Sequence, residues 1–222
     1  VARLIWNQEG QNRYEFGVDH GVFYTPDNLG YVWNGLVSVA EAADGGETTA
    51  YHFDGIKYLD VITFRNYKAT ISAFSIPSYF ASAVGEQAVI PGFVLTRQTR
   101  SRFGLSYRTG IGNPTGYKIH LVYNVLASPS QQDYSTISDL ADPMLRVWSL
   151  DAVPVGGLTY RPSAHYILDS SKMNPEVLEA VEDIIYGTDI ESARLPSIDE
   201  LIDFVTDTRL VKSPIDGLYR LE

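Results

Sequence analysis

His20, His52, His120 and His165 are the side chains in this sequence best suited to hold a metal or move a proton near neutral pH. None stands in a His-x-His or His-Glu-x-x-His arrangement, the spacings that place two imidazoles on one face of a strand or helix. Asp19 and His20 are adjacent, and on a regular strand adjacent side chains face opposite sides. The histidines therefore read as isolated polar strand residues. A metal site assembled from residues distant in sequence stays open, but no ligand set is legible and neither metal nor cofactor is expected. The run Gly112-Asn113-Pro114-Thr115-Gly116-Tyr117-Lys118 invites a phosphate-loop reading, yet it lacks the Gly-Lys-Ser/Thr ending and the helix that must follow. No Gly-x-Ser-x-Gly elbow occurs. A glycosidase needs only two carboxylates across a cleft, but the acids here fall mostly in loops and on helix faces, where solvation explains them. Trp6, Trp33 and Trp148 could stack on a sugar; each lies in a strand-like apolar context that favours packing. No catalytic residue is assigned, and the chain is not expected to be an enzyme.

A chain of 222 residues can bury a good core. It has no cysteine, which excludes disulfides, thiol catalysis and cysteine-based metal sites. No apolar run reaches the roughly 18 residues needed to span a bilayer, so no membrane segment is expected. Residues 1–12 lack a basic stretch followed by an apolar core, which predicts no secretory signal. The formal net charge of −10 argues against tight non-specific nucleic-acid binding, which depends on Lys and Arg at phosphates. It is compatible with a surface past which a polyanion slides. The 15 tyrosines suit interfaces as well as cores.

The elements that would position these residues are mostly strands. In residues 117–125, Tyr117, Ile119, Leu121, Tyr123 and Val125 alternate with Lys118, His120 and Asn124, the period of a half-buried strand. Phe103, Leu105 and Tyr107 alternate in the same way, and the Gly- and Pro-rich segment between the two runs predicts a hairpin. Tyr67, Ala69, Ile71 and Ala73 mark another strand, with residues 57–64 as its expected partner after the turn Asp54-Gly55. Residues 14–24 and 31–39 supply two more strands, and a short helix is expected after Pro77. Residues 40–50 are small, polar and acidic and read as a mobile loop. Two helices follow. Asn174-Pro175 opens one as cap and first helical residue, and Ser197-Ile198-Asp199-Glu200 is a capping box for the other. Val177, Leu178, Val181, Ile184 and Ile185 form the first apolar stripe; Ile198, Leu201, Ile202 and Val205 form the second. Burial of Val181, Ile184, Leu201 and Val205 against the β-core is expected. The fold class is mainly β with flanking helices, divided into a β-rich core over residues 1–168 and a helical segment over residues 169–222 packed on it.

Several motifs in order along the chain resemble the major tail tube proteins of long-tailed, siphovirus-type bacteriophages, in their actinobacteriophage form. They are Arg13-Tyr14-Glu15-Phe16-Gly17-Val18-Asp19-His20-Gly21-Val22-Phe23-Tyr24, Trp33-Asn34-Gly35-Leu36, Phe53-Asp54-Gly55-Ile56-Lys57-Tyr58 and Phe74-Ser75-Ile76-Pro77-Ser78-Tyr79-Phe80. Phe103-Gly104-Leu105-Ser106-Tyr107-Arg108-Thr109, Leu121-Val122-Tyr123-Asn124, Arg161-Pro162-Ser163-Ala164-His165, Ile184-Ile185-Tyr186-Gly187-Thr188-Asp189 and Leu195-Pro196 continue the series. None of these motifs is catalytic.

The resemblance implies a β-sandwich or barrel-like virion subunit, assembled in the host cytoplasm. Its copies would form hexameric rings that close an inner β-barrel and stack into a tube conducting DNA from capsid to host. Further copies, a tape measure protein and tail terminator and tip proteins would be its partners, with viral DNA passing without tight binding. Glu41, Asp44, Gly45, Gly46 and Glu47 are candidates for an inter-ring loop. Arg97, Arg100 and Arg102 form the one compact basic cluster and are candidates for a subunit contact, where Arg can pair with a neighbour's carboxylates. The alternative is a non-enzymatic β-sandwich module for carbohydrate binding or adhesion at a viral tail tip.

Overall fold

The computed structural model describes residues 14–62, 65–112, 116–130, 132, 134, 143–156, 160–206, 210–212 and 219–221. Trp6 and the predicted absence of a signal segment lie outside them. In chain order the strands are β1 (Glu15–Tyr24), β2 (Gly30–Val32), β3 (Leu36–Gly45), β4 (Thr48–Phe53), β5 (Ile56–Ile62) and β6 (Arg65–Ala73). After helix α1 (Phe80–Ala83) come β7 (Gln87–Ile90), β8 (Phe93–Leu95), β9 (Phe103–Ile111), β10 (Tyr117–Pro129), β11 (Arg146–Ala152) and β12 (His165–Asp169). Helices α2 (Pro175–Tyr186) and α3 (Ile198–Thr206) precede the hairpin β13 (Leu210–Lys212) and β14 (Tyr219–Leu221). The protein is mainly β with flanking helices, built on one antiparallel eight-stranded sheet in the order β2-β1-β9-β10-β11-β6-β3, with β12 pairing β10. The sheet is not closed into a barrel: among the described residues β3 is hydrogen-bonded to a neighbour on one side alone.

Both faces of the central strands are covered. On one face Phe23, Trp33, Ile71, Phe80, Leu105 and Trp148 form an aromatic-rich core. Phe80 sits edge-on to Phe23 at 5.6 Å and to Trp148 at 5.2 Å, the arrangement that ring quadrupoles favour. On the other face Tyr24, Ile119 and Leu121 meet the apolar stripes of α2 and α3. Both helix starts follow from their sequences. The Asn174 side chain accepts from the Glu176 amide at 3.0 Å. Ser197 Oγ and the Glu200 carboxylate each take the other's backbone amide, completing the capping box. Arg194 then holds Glu200 through two bonds of 2.8 and 2.6 Å. Gly104 allows the loop before α3 to press on the sheet: a Cβ there would lie 2.7 Å from Leu195 Cδ2.

Several expectations of strand and helix placement need correction. Val125 packs with Phe103 and Val122, on the face opposite to Ile119 and Leu121. Asn124 adopts φ 53° at a bulge in the β9–β10 ladder, and the extra residue reverses the alternation beyond it. At that point β10 changes partner from β12 to β11. In the second helix Phe204 is buried and Val205 is 47% exposed; in α2 Val181 is buried and Ile184 only half-buried. Strand β5 pairs with β4, while β6 pairs with β3 and β11. Finally, residues 40–45 are no loop, because β3 runs through them along β6.

Candidate functional sites

The β3–β6 and β4–β5 ladders belong to one long hairpin. Gly45 pairs with Arg65 at the end of the first ladder, and Thr48 pairs with Ile62 at the start of the second. Gly45 and Gly46, at φ 79° and 78°, make the break between them in a region that side-chain-bearing residues avoid. The distal half, turned at Asp54-Gly55, carries Tyr51, Phe53, Ile56, Tyr58, Leu59 and Val61, all exposed, with Ile56 and Tyr58 at 73% and 75%. Every residue of β4 is exposed, so neither face of this arm is covered. The smaller hairpin β7–β8 repeats the pattern: all its residues are exposed, including Ile90, Phe93 and Val94. A lone two-stranded hairpin is marginal in water, and contiguous exposed apolar side chains mark a surface that something else covers.

The residues singled out from the sequence are not gathered in one place. Glu41 lies within β3, opposite Ala69, with its carboxylate turned to the sheet interior, where it accepts from the Tyr107 hydroxyl. Asp44 and Gly45 end the strand, and Gly46 and Glu47 form the break before the arm. Arg97 and Arg100 line a cleft of about 570 Å³ with Glu86, Arg146 and Trp148. Arg100 donates to the Ala127 carbonyl at 3.0 Å and to Ser128 Oγ at 2.6 Å, and Arg102 donates to the Asn124 carbonyl at 2.8 Å. Arg100 and Arg102 thus fasten the loop before β9 to the bulged half of β10.

The histidines are not all isolated. His120 on β10 and His165 on β12 stack with ring centroids 5.2 Å apart, and His120 Nδ1 lies 3.0 Å from His165 Nε2. Glu41 Oε1 stands 3.6 Å from the first nitrogen and 3.7 Å from the second. These three residues offer one ligand atom each within 4.8 Å of one another, so the donor set absent from the sequence spacing is assembled by the sheet. Thr109 Oγ1 bonds His120 Nε2 at 3.1 Å, and Tyr107 stacks flat on the His120 ring at 4.5 Å. Burial and the neighbouring His165 hold the His120 imidazole down at about 4, against a weaker upward pull from Glu41. Burial also lowers His165. Both rings are therefore neutral at pH 7 and able to offer lone pairs. Burial raises the Tyr67 and Tyr107 hydroxyls, which stay protonated. A cleft of about 430 Å³, lined by Glu41, Asn66, Tyr67, Ser163 and His165 among others, opens onto the cluster.

Asp19 and His20 do not face opposite sides. Bulges flank Asp19 in the β1–β9 ladder, His20 takes φ 48°, and His20 Nδ1 approaches Asp19 Oδ1 at 3.1 Å. Arg108 grips the same carboxylate at 2.8 and 3.1 Å and holds it below the usual aspartate range.

No protein-family model matches the chain, and no curated protein does. Among solved structures, it is similar to a chain of the sheath–tube complex of an extracellular contractile injection system (PVC) in the extended state. The two share 10% identity over 67% of this chain and 88% of that one, with a TM-score of 0.39. The tube-terminating cap of the anti-feeding prophage gives 11% identity over 68% and 89%, with a TM-score of 0.41. The sheath/tube terminator of the PVC system gives 10% over 67% and 93%, with a TM-score of 0.38. No helix among the described residues is long and apolar enough to cross a membrane.

Proposed function

We propose that this chain is a structural subunit of a phage-type tail tube, whose copies join into stacked hexameric rings around a DNA-conducting lumen. The observation that carries the reading is the arm β4–β5, an extension of the main sheet with both faces exposed and six large apolar side chains uncovered. A second copy of the chain is the occupant that fits, since β3 also leaves a ten-residue edge unpaired among the described residues. Unpaired edges template pairing with another strand, and closure in a ring removes them. The resemblance of the ordered motifs to major tail tube proteins supports the same reading. In it, the sheet edges of six copies build the inner barrel, and the arm, together with the Asp44, Gly45, Gly46 and Glu47 break, reaches the adjacent ring. The exposed cleft lined by Arg97 and Arg100 belongs to a lateral contact, with Arg102 as the third member of the basic cluster, and α2 and α3 flank the β-core away from the lumen. Residues 1–168 act as the tube core and residues 169–222 as its outer flank. The virion is its place, no enzymatic step is involved, and the tape measure and terminator proteins are its partners.

Sedimentation of the purified chain over a concentration series, with negative-stain microscopy of the same samples, tests this. Rings or tubes of uniform diameter are expected. A chain that stays monomeric at high concentration and binds immobilised glycans would instead place it among tail-tip adhesion modules.

A further inference from the structure

We propose that Glu41, His120 and His165 bind a divalent transition cation of the zinc class, which ties the edge strand β3 to β10 and β12. A tetrahedral zinc ion with bonds of about 2.0–2.1 Å separates its ligand atoms by about 3.3 Å. The triangle of His120 Nδ1, His165 Nε2 and Glu41 Oε1 has sides of 3.0, 3.6 and 3.7 Å, so shifts of a few tenths of an ångström admit the ion. Two imidazoles and one carboxylate suit a borderline-soft cation and are poor ligands for calcium or magnesium, which take oxygen.

The surroundings have the features that metal-bound histidines need. With its proton on Nε2, shared with Thr109 Oγ1 at 3.1 Å, His120 would leave the lone pair on Nδ1 for the ion. In the ion-free chain the 3.0 Å contact then puts the His165 proton on Nε2, and binding moves it to His165 Nδ1, a tautomeric shift with no net proton release. Tyr107, donating to Glu41, orients the carboxylate. The cleft at Glu41 and His165 supplies an entry path and room for water as the fourth ligand. The three ligands come from strands β3, β10 and β12, far apart in sequence.

The test uses the full chain stripped with a chelator and titrated with zinc alone, followed by calorimetry. Cobalt serves as the spectroscopic probe. One zinc ion per chain is expected, with a rise in Tm and the intense visible absorption of four-coordinate cobalt. H165A should abolish binding, and E41Q should weaken it by at least about tenfold. Glu41 is exposed enough that E41Q folds even if H165A does not, so circular dichroism of E41Q validates the comparison. No heat and no cobalt band with the wild-type chain would overturn the proposal. So would unchanged affinity in E41Q, since the ion would then sit at His20, His52 or another surface group.

Discussion

The Tyr24 hydroxyl donates to the Ile185 carbonyl at 2.8 Å, joining the first strand to helix α2 across 161 residues of sequence. Ser106 Oγ lies 3.2 Å from the same hydroxyl, and Tyr24 is 1% exposed. Burial, first of all, drives this phenol far above its ordinary pKa, so it remains a donor at any physiological pH. The β-sheet and the helical flank thus share a buried polar link inside an apolar contact.

Replacing Tyr24 by Phe keeps the ring and strands the Ile185 carbonyl and Ser106 without their partner. A loss of about 1–3 kcal/mol is expected, read as a lower midpoint in urea unfolding with unchanged slope. A neutral result would mean that water or relaxation replaces the bond.

Helix α3 presents Ile198, Leu201 and Phe204 to the sheet. Phe204→Ala should cost about 3–5 kcal/mol through the lost contact and the cavity, whereas Val205→Ala should stay within about 0.5 kcal/mol. Chemical unfolding of the two variants separates them. The reverse order would show that the helix is rotated by about one residue, 100°.

This rotation shows how much the sequence reveals. The caps at Asn174 and Ser197 are local chemistry and were legible residue by residue. The stripe Ile198, Leu201, Ile202 and Val205 is as good a helical pattern as Ile198, Leu201 and Phe204, and only the partner sheet decides between them. Strand alternation correctly placed Phe103, Leu105 and Tyr107, but it carries no sign of the bulge at Asn124 that moves Val125 to the other core. Composition marked residues 40–50 as loop because small and acidic residues are common there; pairing with β6 overrides that preference up to Gly45. The Glu41–His120–His165 cluster was hidden for a different reason. Its members sit on three strands, β3, β10 and β12, and only the sheet order brings them together.

The buried histidines give the metal-free chain a pH dependence of definite sign. His120 is held down at about 4 when folded and titrates at the ordinary histidine value of about 6.5 when unfolded, so between these values the unfolded chain binds the extra proton. Stability is therefore full above 6.5 and declines as pH falls toward 4, by on the order of 3 kcal/mol for His120. His165 adds to the decline in the same direction. Glu200, lowered by Arg194, loses most of its contribution as pH falls below 4.5, so it contributes little between pH 7 and pH 5. Unfolding midpoints measured with chelator present at pH 7 and pH 5 check this, and H120Q should shrink the difference. An equal difference in H120Q would move its origin elsewhere.

Assembled tubes should hold duplex DNA weakly even at low salt. The net charge of −10 per chain is multiplied around a ring, and grip on DNA grows with each phosphate neutralised. Filter or gel retention of DNA by tubes at low salt checks this. Tight, salt-sensitive retention lost on substituting Arg97, Arg100 and Arg102 would place that cluster in the lumen.

The arm carries the central claim, and photo-crosslinking reads it most directly. A photoreactive phenylalanine at Tyr58, which is 75% exposed, is activated in concentrated samples that microscopy shows to be assembled. In parallel, residues 48–62 are replaced by a short Gly-Ser turn. The account predicts a crosslinked pair of chains from Tyr58, and a turn variant that keeps its fold by circular dichroism yet forms no tubes. Normal tubes from the turn variant, with no intermolecular crosslink from Tyr58, would contradict it.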